Sequence, residues 1–256
     1  VDLPGIYSIR PYTSEEIVTR DFLLSGHPDG IINIIDATNI ERNLYLTTQL
    51  LELGLPVVVA LNMMDVVKKQ GDEIDVSTLC GRLSCPVVEI SALRGQGIRE
   101  AMDKTASLAA AGKPANVNHR FAPRVESALG EVEALVKDVT PEAQRRFYAV
   151  KLFERDEKVT AELDLPGGIR KEIEQVIQEC EQEMDDDAES IVTNQRYAYI
   201  SRLVSACVRK GKPKGSLTAS DKIDRVVTNR WLALPIFVAV MAVVYYIACL
   251  LYTSPS

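Results

Sequence analysis

No Gly-x-x-x-x-Gly-Lys-Ser/Thr segment occurs anywhere in the 256 residues. The glycine-rich cradle that grips the phosphates of a nucleotide in P-loop enzymes is therefore absent from this sequence. Histidine is scarce: His27 and His119 are the only two, both in loop-like stretches and read as surface residues. The five cysteines (80, 85, 180, 207 and 249) are dispersed, and no His stands near Cys80 and Cys85 at ligand spacing. An odd, scattered set argues against a metal site and for free thiols in a reducing compartment. Excess positive charge is missing too: the net charge is −7, which gives no reason to expect nucleic acid as a partner. No signal peptide is present, and the sequence opens on Val1-Asp2 instead of Met, in mid-motif, as a fragment would.

What is there is ordinary on average and divided in detail. Hydrophobic residues make up 46% and charged residues 25%, with mean hydropathy near zero. Residues 231–252, however, carry no charge, whereas everything before them has a soluble texture. A span of ~20 apolar residues crosses a bilayer. Trp231 at its start and Tyr245, Tyr246 and Tyr252 toward its end suit interface anchors, and Pro235 falls where a helix tolerates it. Between Arg209 and Arg230 seven Lys/Arg face two Asp, which predicts that the preceding residues stay on the cytoplasmic side.

Three β-branched runs, 31–36, 56–65 and 86–92, alternate with helical stretches at 39–53, 75–84 and 97–111. Continuous apolar strands separated by short helices predict a parallel α/β sheet covered on both faces. In the first of these helices Leu44, Thr47, Thr48 and Leu51 share a face, and Gly54 supplies the stop. Thr13-Ser14-Glu15-Glu16 predicts a helix start, with hydroxyl caps and early acids. Residues 112–123 have linker composition. From 124 to about 211 there are no strand-like runs, and 124–137, 141–153, 167–184 and 188–209 show helical periodicity.

Three short motifs stand at the ends of the strand-like runs. Asn62-Met63-Met64-Asp65 ends the second, where open α/β sheets place ligands. A carboxylate accepts two hydrogen bonds, and guanine offers two donors on one edge, so Asp65 would set base choice; a buried unpaired carboxylate facing the wrong base is costly. Asn62 can bond the base and brace neighbouring loops. Ser91-Ala92-Leu93 ends the next strand 26 residues beyond Asp65 and suits a tight turn that presents an N–H to the guanine carbonyl. Asp2-Leu3-Pro4-Gly5 suits the phosphate end: Asp2 could hold Mg²⁺ through water, and the Gly5 N–H could meet a terminal phosphate. Asp36-Ala37-Thr38-Asn39 is read as a strand end passing into a helix cap, not as a catalytic acid. The acidic run Glu181–Asp187 is read as a solvated helix end.

With these motifs in order, the stretches 1–8, 28–65 and 86–97, the segment Lys151–Val159 and residues 220–237 closely resemble the ferrous iron transport protein B family over roughly residues 1–247. The resemblance implies a bacterial or archaeal inner-membrane protein. A GTPase domain and a helical domain that regulates nucleotide affinity would lie in the cytoplasm, followed by a membrane domain that carries Fe²⁺. The expected fold is therefore α/β, an incomplete P-loop GTPase-type sheet, followed by an all-α helical domain and one transmembrane helix. The expected boundaries are a GTPase portion at 1–112, a linker at 113–123, a helical domain at 124–210, a basic juxtamembrane segment at 211–230, the membrane helix at 231–252 and a tail at 253–256 that does not resemble the family. The resemblance carries Asp2, Leu3, Pro4 and Gly5 over as the Mg²⁺/γ-phosphate motif. It carries Asn62 and Asp65 over as guanine readers and Ser91 and Ala92 as the loop behind the base, with Met63, Met64 and Leu93 as nucleotide-binding positions within the same motifs.

GTP or GDP, Mg²⁺ and transported Fe²⁺ are the expected ligands of the parent protein. The expected partners are guanine nucleotide, the lipid bilayer, the rest of the transporter's membrane domain and a further copy of the chain. The phosphate loop, the first switch and the first strands are expected to precede Val1, so this chain is expected to have little or no GTPase activity. Residue 6 is Ile, so no Gln follows the Asp-x-x-Gly motif to orient water. Two rival readings were weighed: a soluble GTPase of ribosome assembly, which should lack the apolar 22-mer and carry a basic surface, and a non-catalytic, membrane-tethered helical scaffold, for which the Asn62/Asp65 pair would be incidental.

Overall fold

The structure is a computed structural model that describes residues 1–9, 13–26, 28–112, 119–211 and 233–253, the side chains of the last helix only in part. It forms two compact units, Val1–Gly211 and Lys212–Ser256.

The first unit is built around a parallel sheet in the order β1-β2-β4, from Ile31–Asp36 (β1), Val57–Asn62 (β2) and Val87–Glu89 (β4). Ile31 stands opposite Val57 and Asp36 opposite Asn62, so the first two strands end level with each other. β2 is central and buried from Val57 to Leu61, as its unbroken apolar run predicts. β1 departs from that expectation. It is an edge strand that alternates, burying Asn33 and Ile35 while Ile34 stays 62% exposed. A strand with a neighbour on only one side is covered less completely than a central one.

Helix α1 (Ser14–Ser25) opens with the expected cap. Thr13 Oγ1 accepts from the Glu16 N–H, and the Glu16 carboxylate accepts from the Thr13 N–H. Helix α2 (Ile40–Glu52) connects β1 to β2, and Gly54, at φ +71°, ends it as expected. A Cβ at Gly54 would lie against the Ala143 carbonyl, so the helix end also packs closely on the helical half. Residues 44, 45 and 47–54 are all buried, polar Thr47, Thr48, Gln49 and Glu52 included. Sheet lies on one side of α2 and helices on the other, so its amphipathic pattern understates its burial. Each fully buried Leu contributes about 1.5–3 kcal/mol, several times the few tenths at stake in helix propensity.

Helices α3 (Met64–Gln70), α4 (Val76–Leu83) and α5 (Ile98–Ala111) complete the α/β half. α5 covers the second face of the sheet, where Val58, Ala60, Val88, Ile90 and Ala101 form a small apolar cluster. The helical half comprises α6 (Pro123–Leu135), α7 (Arg145–Phe153), α8 (Glu157–Glu162), α9 (Gly167–Met184) and α10 (Ala188–Cys207). Four of these fall on the stretches whose periodicity is helical; the six-residue α8 is too short to show one. The main apolar core is continuous from Leu44, Leu51 and Val59 to Phe147, Phe153 and Val192.

The helical half also returns one strand. Glu73–Ile74 (β3) pairs antiparallel with Val208–Arg209 (β5), which corrects the expectation of no strand after residue 124. Two-residue strands carry no periodicity to read. The acidic run after Glu181 is a helix-to-helix turn: Asp185 ends α9 in the left-handed region, and Asp187 caps α10 through the Ser190 N–H.

Three further sequence expectations change. His119 is not at the surface but 2% exposed, because it pairs with buried Glu52; His27 lies outside the described residues. Of the linker 113–123, residues 119–122 are ordered against the helical half, the Ala122 N–H donating to Gln195 Oε1 at 3.0 Å, and α6 already starts at Pro123; residues 113–118 lie outside the described residues. The apolar span expected at 231–252 is a helix, α11 (Ala233–Thr253), 21 residues long. Among the described residues, however, no helix is long and apolar enough to cross a membrane. Residues 212–232 and 254–256, which include most of the expected basic segment and tail, lie outside the described residues.

Candidate functional site

The carboxyl ends of β2 and β4 bring two of the three motifs together. β2 ends on Asn62, and the chain turns into α3 within one residue because Met63 takes the left-handed conformation at φ +65°. A non-glycine residue there costs about 1–2 kcal/mol. The turn places Asp65 in the first turn of α3, where the helix N–H groups favour negative charge. After β4 the chain folds back on itself. Ser91 and Gln96 exchange backbone hydrogen bonds of 3.1 and 3.2 Å around the short turn Ala92–Arg94. Gly97, at φ +75°, closes the loop, and a Cβ there would collide with the Glu89 carbonyl.

Side chains cross-brace the two loops. Asn62 Oδ1 accepts the Ala92 N–H at 3.0 Å, and Ser91 Oγ donates to Asp65 Oδ1 at 3.3 Å. Arg94 Nε stands 3.7 Å from Asp65 Oδ2, so both carboxylate oxygens have a partner on the second loop. Lys68 and Glu89 add a 2.7 Å ion pair between the same elements; both are exposed, so it contributes little. The Asp65 side chain is 17% exposed.

The expected site residues therefore divide. Asn62, Asp65, Ser91 and Ala92 converge. Met63 contributes its backbone turn, and Met64 points into the core at 5% exposure, so its role is packing. Leu93 is 93% exposed at the tip of the turn, and among the described residues it makes no hydrogen bond to the converging groups. Asp2, Pro4 and Gly5 are exposed and Leu3 half-buried; among the described residues no hydrogen bond or ion pair reaches any of the four. Asp36, set aside as a cap, does cap: its Oδ1 accepts from the Thr38 N–H and hydroxyl at 2.8 and 2.7 Å. Its carboxyl sits below the ordinary range because the Thr38 and Asn39 hydrogen bonds outweigh the effect of burial.

Arg94 was not singled out in the sequence, although its place three residues after Ser91 marks it as a loop cation. A second polar cluster was missed altogether. Glu52 at the end of α2 is buried between His119 Nε2 at 2.7 Å and Arg196 Nη2 at 2.6 Å, and Arg196 Nη1 also reaches Thr48 Oγ1 at 3.2 Å. Burial alone would raise the Glu52 carboxyl, but Arg196 and His119 outweigh it and hold the group at about 2. Cys85 shows the opposite case: burial, with Cys80 nearby, pushes its thiol up to about 12, so it is an inert core residue.

Comparison with known proteins places this geometry. Residues 1–105 match the family described as ferrous iron transport protein B, and residues 121–209 match the FeoB cytosolic helical domain. The Fe(2+) transporter FeoB of Escherichia coli (strain K12) is 37% identical over 257 residues, covering 97% of this chain and 32% of that protein. The Fe(2+) transport protein A/Fe(2+) transporter FeoB fusion protein of Porphyromonas gingivalis is 36% identical over 261 residues, covering 96% of this chain and 30% of that protein. The chain thus spans about a third of the length of these relatives. Among solved structures, a GDP-bound mutant of the S. thermophilus FeoB G-domain is 46% identical with a TM-score of 0.79, covering 81% of this chain and 80% of that one. The mGMPPNP-bound S. thermophilus NFeoB is 45% identical with a TM-score of 0.75, covering 84% of this chain and 80% of that one. The α/β half is a G domain and the α half its helical companion, and the chain belongs to the ferrous iron transport protein B family.

Proposed function

We propose that this chain is the guanine-reading cytoplasmic region of a ferrous iron transporter whose full-length form hydrolyses GTP to GDP and phosphate. The observation that carries this reading is the cross-braced pair of loops in which Ser91 holds Asp65 and Asn62 holds Ala92. Asp65 would accept the ring N–H and the exocyclic amino group of guanine. The loop after Ser91, pinned by Asn62, would direct backbone N–H groups at the base carbonyl. Arg94 would yield its place beside Asp65 Oδ2, an inexpensive exchange because it is half-exposed.

The phosphate end fits Mg²⁺ modestly. Asp2 offers one exposed carboxylate oxygen donor, and Mg²⁺ is commonly held by one or two carboxylates together with nucleotide phosphates and waters. Bound there, the ion would neutralise phosphate charge. Gly5 is open, with nothing within 4 Å of where a Cβ would stand, so a phosphate could approach its N–H. Without a Gly-Lys-Ser/Thr loop among these 256 residues, the chain alone binds GTP weakly and hydrolyses it negligibly.

Residues 1–230 lie on the cytoplasmic side of a bacterial or archaeal inner membrane, ahead of the charge-free stretch 231–252. The support is that charge-free stretch and the basic cluster before it. Fe²⁺ is cargo of the membrane domain, and a second copy of the chain and that domain are its natural partners.

The test is base selectivity. Asp65→Asn in the full-length transporter replaces a double acceptor by a donor–acceptor pair. The expected result is a loss of guanine preference of about tenfold to a hundredfold, read by competition between guanine and xanthine nucleotides. Unchanged guanine preference would defeat the proposal, and micromolar GTP affinity of the present chain would defeat its second part.

A further inference from the structure

Arg20 lies on α1, 1% exposed, and its guanidinium makes a parallel fork with Asp156: Nη1 to Oδ2 and Nη2 to Oδ1, each 3.1 Å. Asp156 stands between α7 and α8, 136 positions away, with its side chain 7% exposed. Its Oδ1 also accepts the Lys158 and Val159 N–H groups at 3.1 and 3.2 Å, which caps α8. Two-pronged geometry of this kind fixes orientation as well as distance, and an ion pair this buried is costly to open by one partner alone.

The chain between Gly5 and α1 is fastened twice more, both times to α2. Ile9, fully buried, donates its N–H to Gln49 Oε1 at 2.9 Å, and the Arg42 guanidinium lies 4.0 Å over the Tyr7 ring. Before Tyr7, Ile6 packs on the apolar core, while Asp2, Pro4 and Gly5 are exposed and among the described residues no hydrogen bond or ion pair reaches them. The stretch that follows Asp2-Leu3-Pro4-Gly5 is thus loose at the motif and held at Tyr7, Ile9 and Arg20. Of these, Arg20 binds the turn between two helices of the helical half.

We infer that Arg20 and Asp156 are positioning residues that tie the segment after Asp2-Leu3-Pro4-Gly5 to the helical half, so that displacement of residues 2–9 and displacement of the α7–α8 turn are coupled. The significance of this coupling rests on residues 2–5 being the phosphate-side motif. Its existence does not, and the experiment uses no nucleotide, so failure here is distinct from failure of the Asp65→Asn selectivity test.

The bland alternative is that Asp156 merely caps α8. Asn caps helices as well as Asp, so Asp156→Asn keeps the cap and removes the ion pair. Amide hydrogen exchange on the whole chain separates the two roles. The expected result is exchange about tenfold or more faster across residues 13–25 and at the Ile9 amide, with residues 157–162 and 188–207 unchanged. Change confined to 157–162, no change anywhere, or equal acceleration in 188–207 would each overturn the inference. If Asp156→Asn does not fold, Arg20→Lys keeps the charge, loses the fork and is expected to give the same pattern more weakly. Exchanging the partners (Arg20→Asp with Asp156→Arg) is expected to restore protection of α1 relative to either single change.

Discussion

The two ends of the candidate nucleotide site are built in opposite ways. At the base end, Asn62, Asp65, Ser91 and Arg94 are bound to one another across two loops and stand on the most buried strand of the sheet. At the phosphate end, Asp2 and Gly5 are exposed, and among the described residues no hydrogen bond or ion pair reaches either. The contrast teaches where pre-organisation resides. Recognition of a base needs donors and acceptors held at fixed spacing before the ligand arrives, because each unmet partner is costly. A phosphate-sensing segment has to change position with its ligand, so an exposed segment joined to fastened points suits it.

The base end rests on α2 and β2, and α2 is held by the buried Glu52 cluster. The largest way to break the comparison is therefore to remove one partner there. Arg196→Ala would leave the Glu52 carboxylate buried without its main cation, and is expected to cost about 3–5 kcal/mol of stability in urea unfolding. Asp2→Ala, by contrast, should stay within about 0.5 kcal/mol of the parent. Equal effects would show that the two ends are not differently anchored.

Acid should act at the same place. The Glu52 carboxyl is held at about 2 in the folded chain, below its ordinary value of 4.5. A depressed carboxyl contributes stability that is present above the unfolded value and lost as pH falls through the folded one. The chain should therefore lose a few kcal/mol between about pH 4.5 and pH 2. That loss should be largely gone in Glu52→Gln, measured by thermal unfolding across this range. An unaltered acid profile in the variant would remove Glu52 from the account.

The finest test compares two glycines. Gly97→Ala forces a Cβ against the Glu89 carbonyl at positive φ, and is expected to cost about 1–3 kcal/mol and to loosen the Ser91–Gln96 loop. Gly5→Ala meets open space and should change stability by less than about 0.5 kcal/mol. Similar costs at the two positions would contradict the asymmetry.

Much of the fold was legible because local patterns encode it. The β-branched run into Asn62, the Thr13–Glu16 capping box, Gly54 as a helix stop and the periodicity of 167–184 each act over a few residues, and each reappears in the structure. The same holds for the base-side motifs, since both lie at strand ends. What stayed hidden joins residues far apart. His119 and Glu52 are separated by 67 positions and Arg196 and Glu52 by 144, and of the three only His119 carried an expectation, a surface position. Burial of a charge is decided by its partner, and no local pattern announces a partner at that distance.

The sequence by itself determined where the strands end and which side chains stand there, because alternation, caps and breakers are local forces. Only the tertiary structure decided that Ser91 meets Asp65, that polar α2 is enclosed on both sides, and that Arg20 reaches Asp156. Those pairings depend on how helices stack against a sheet, which is settled by the packing of the whole core and not by any one segment of it.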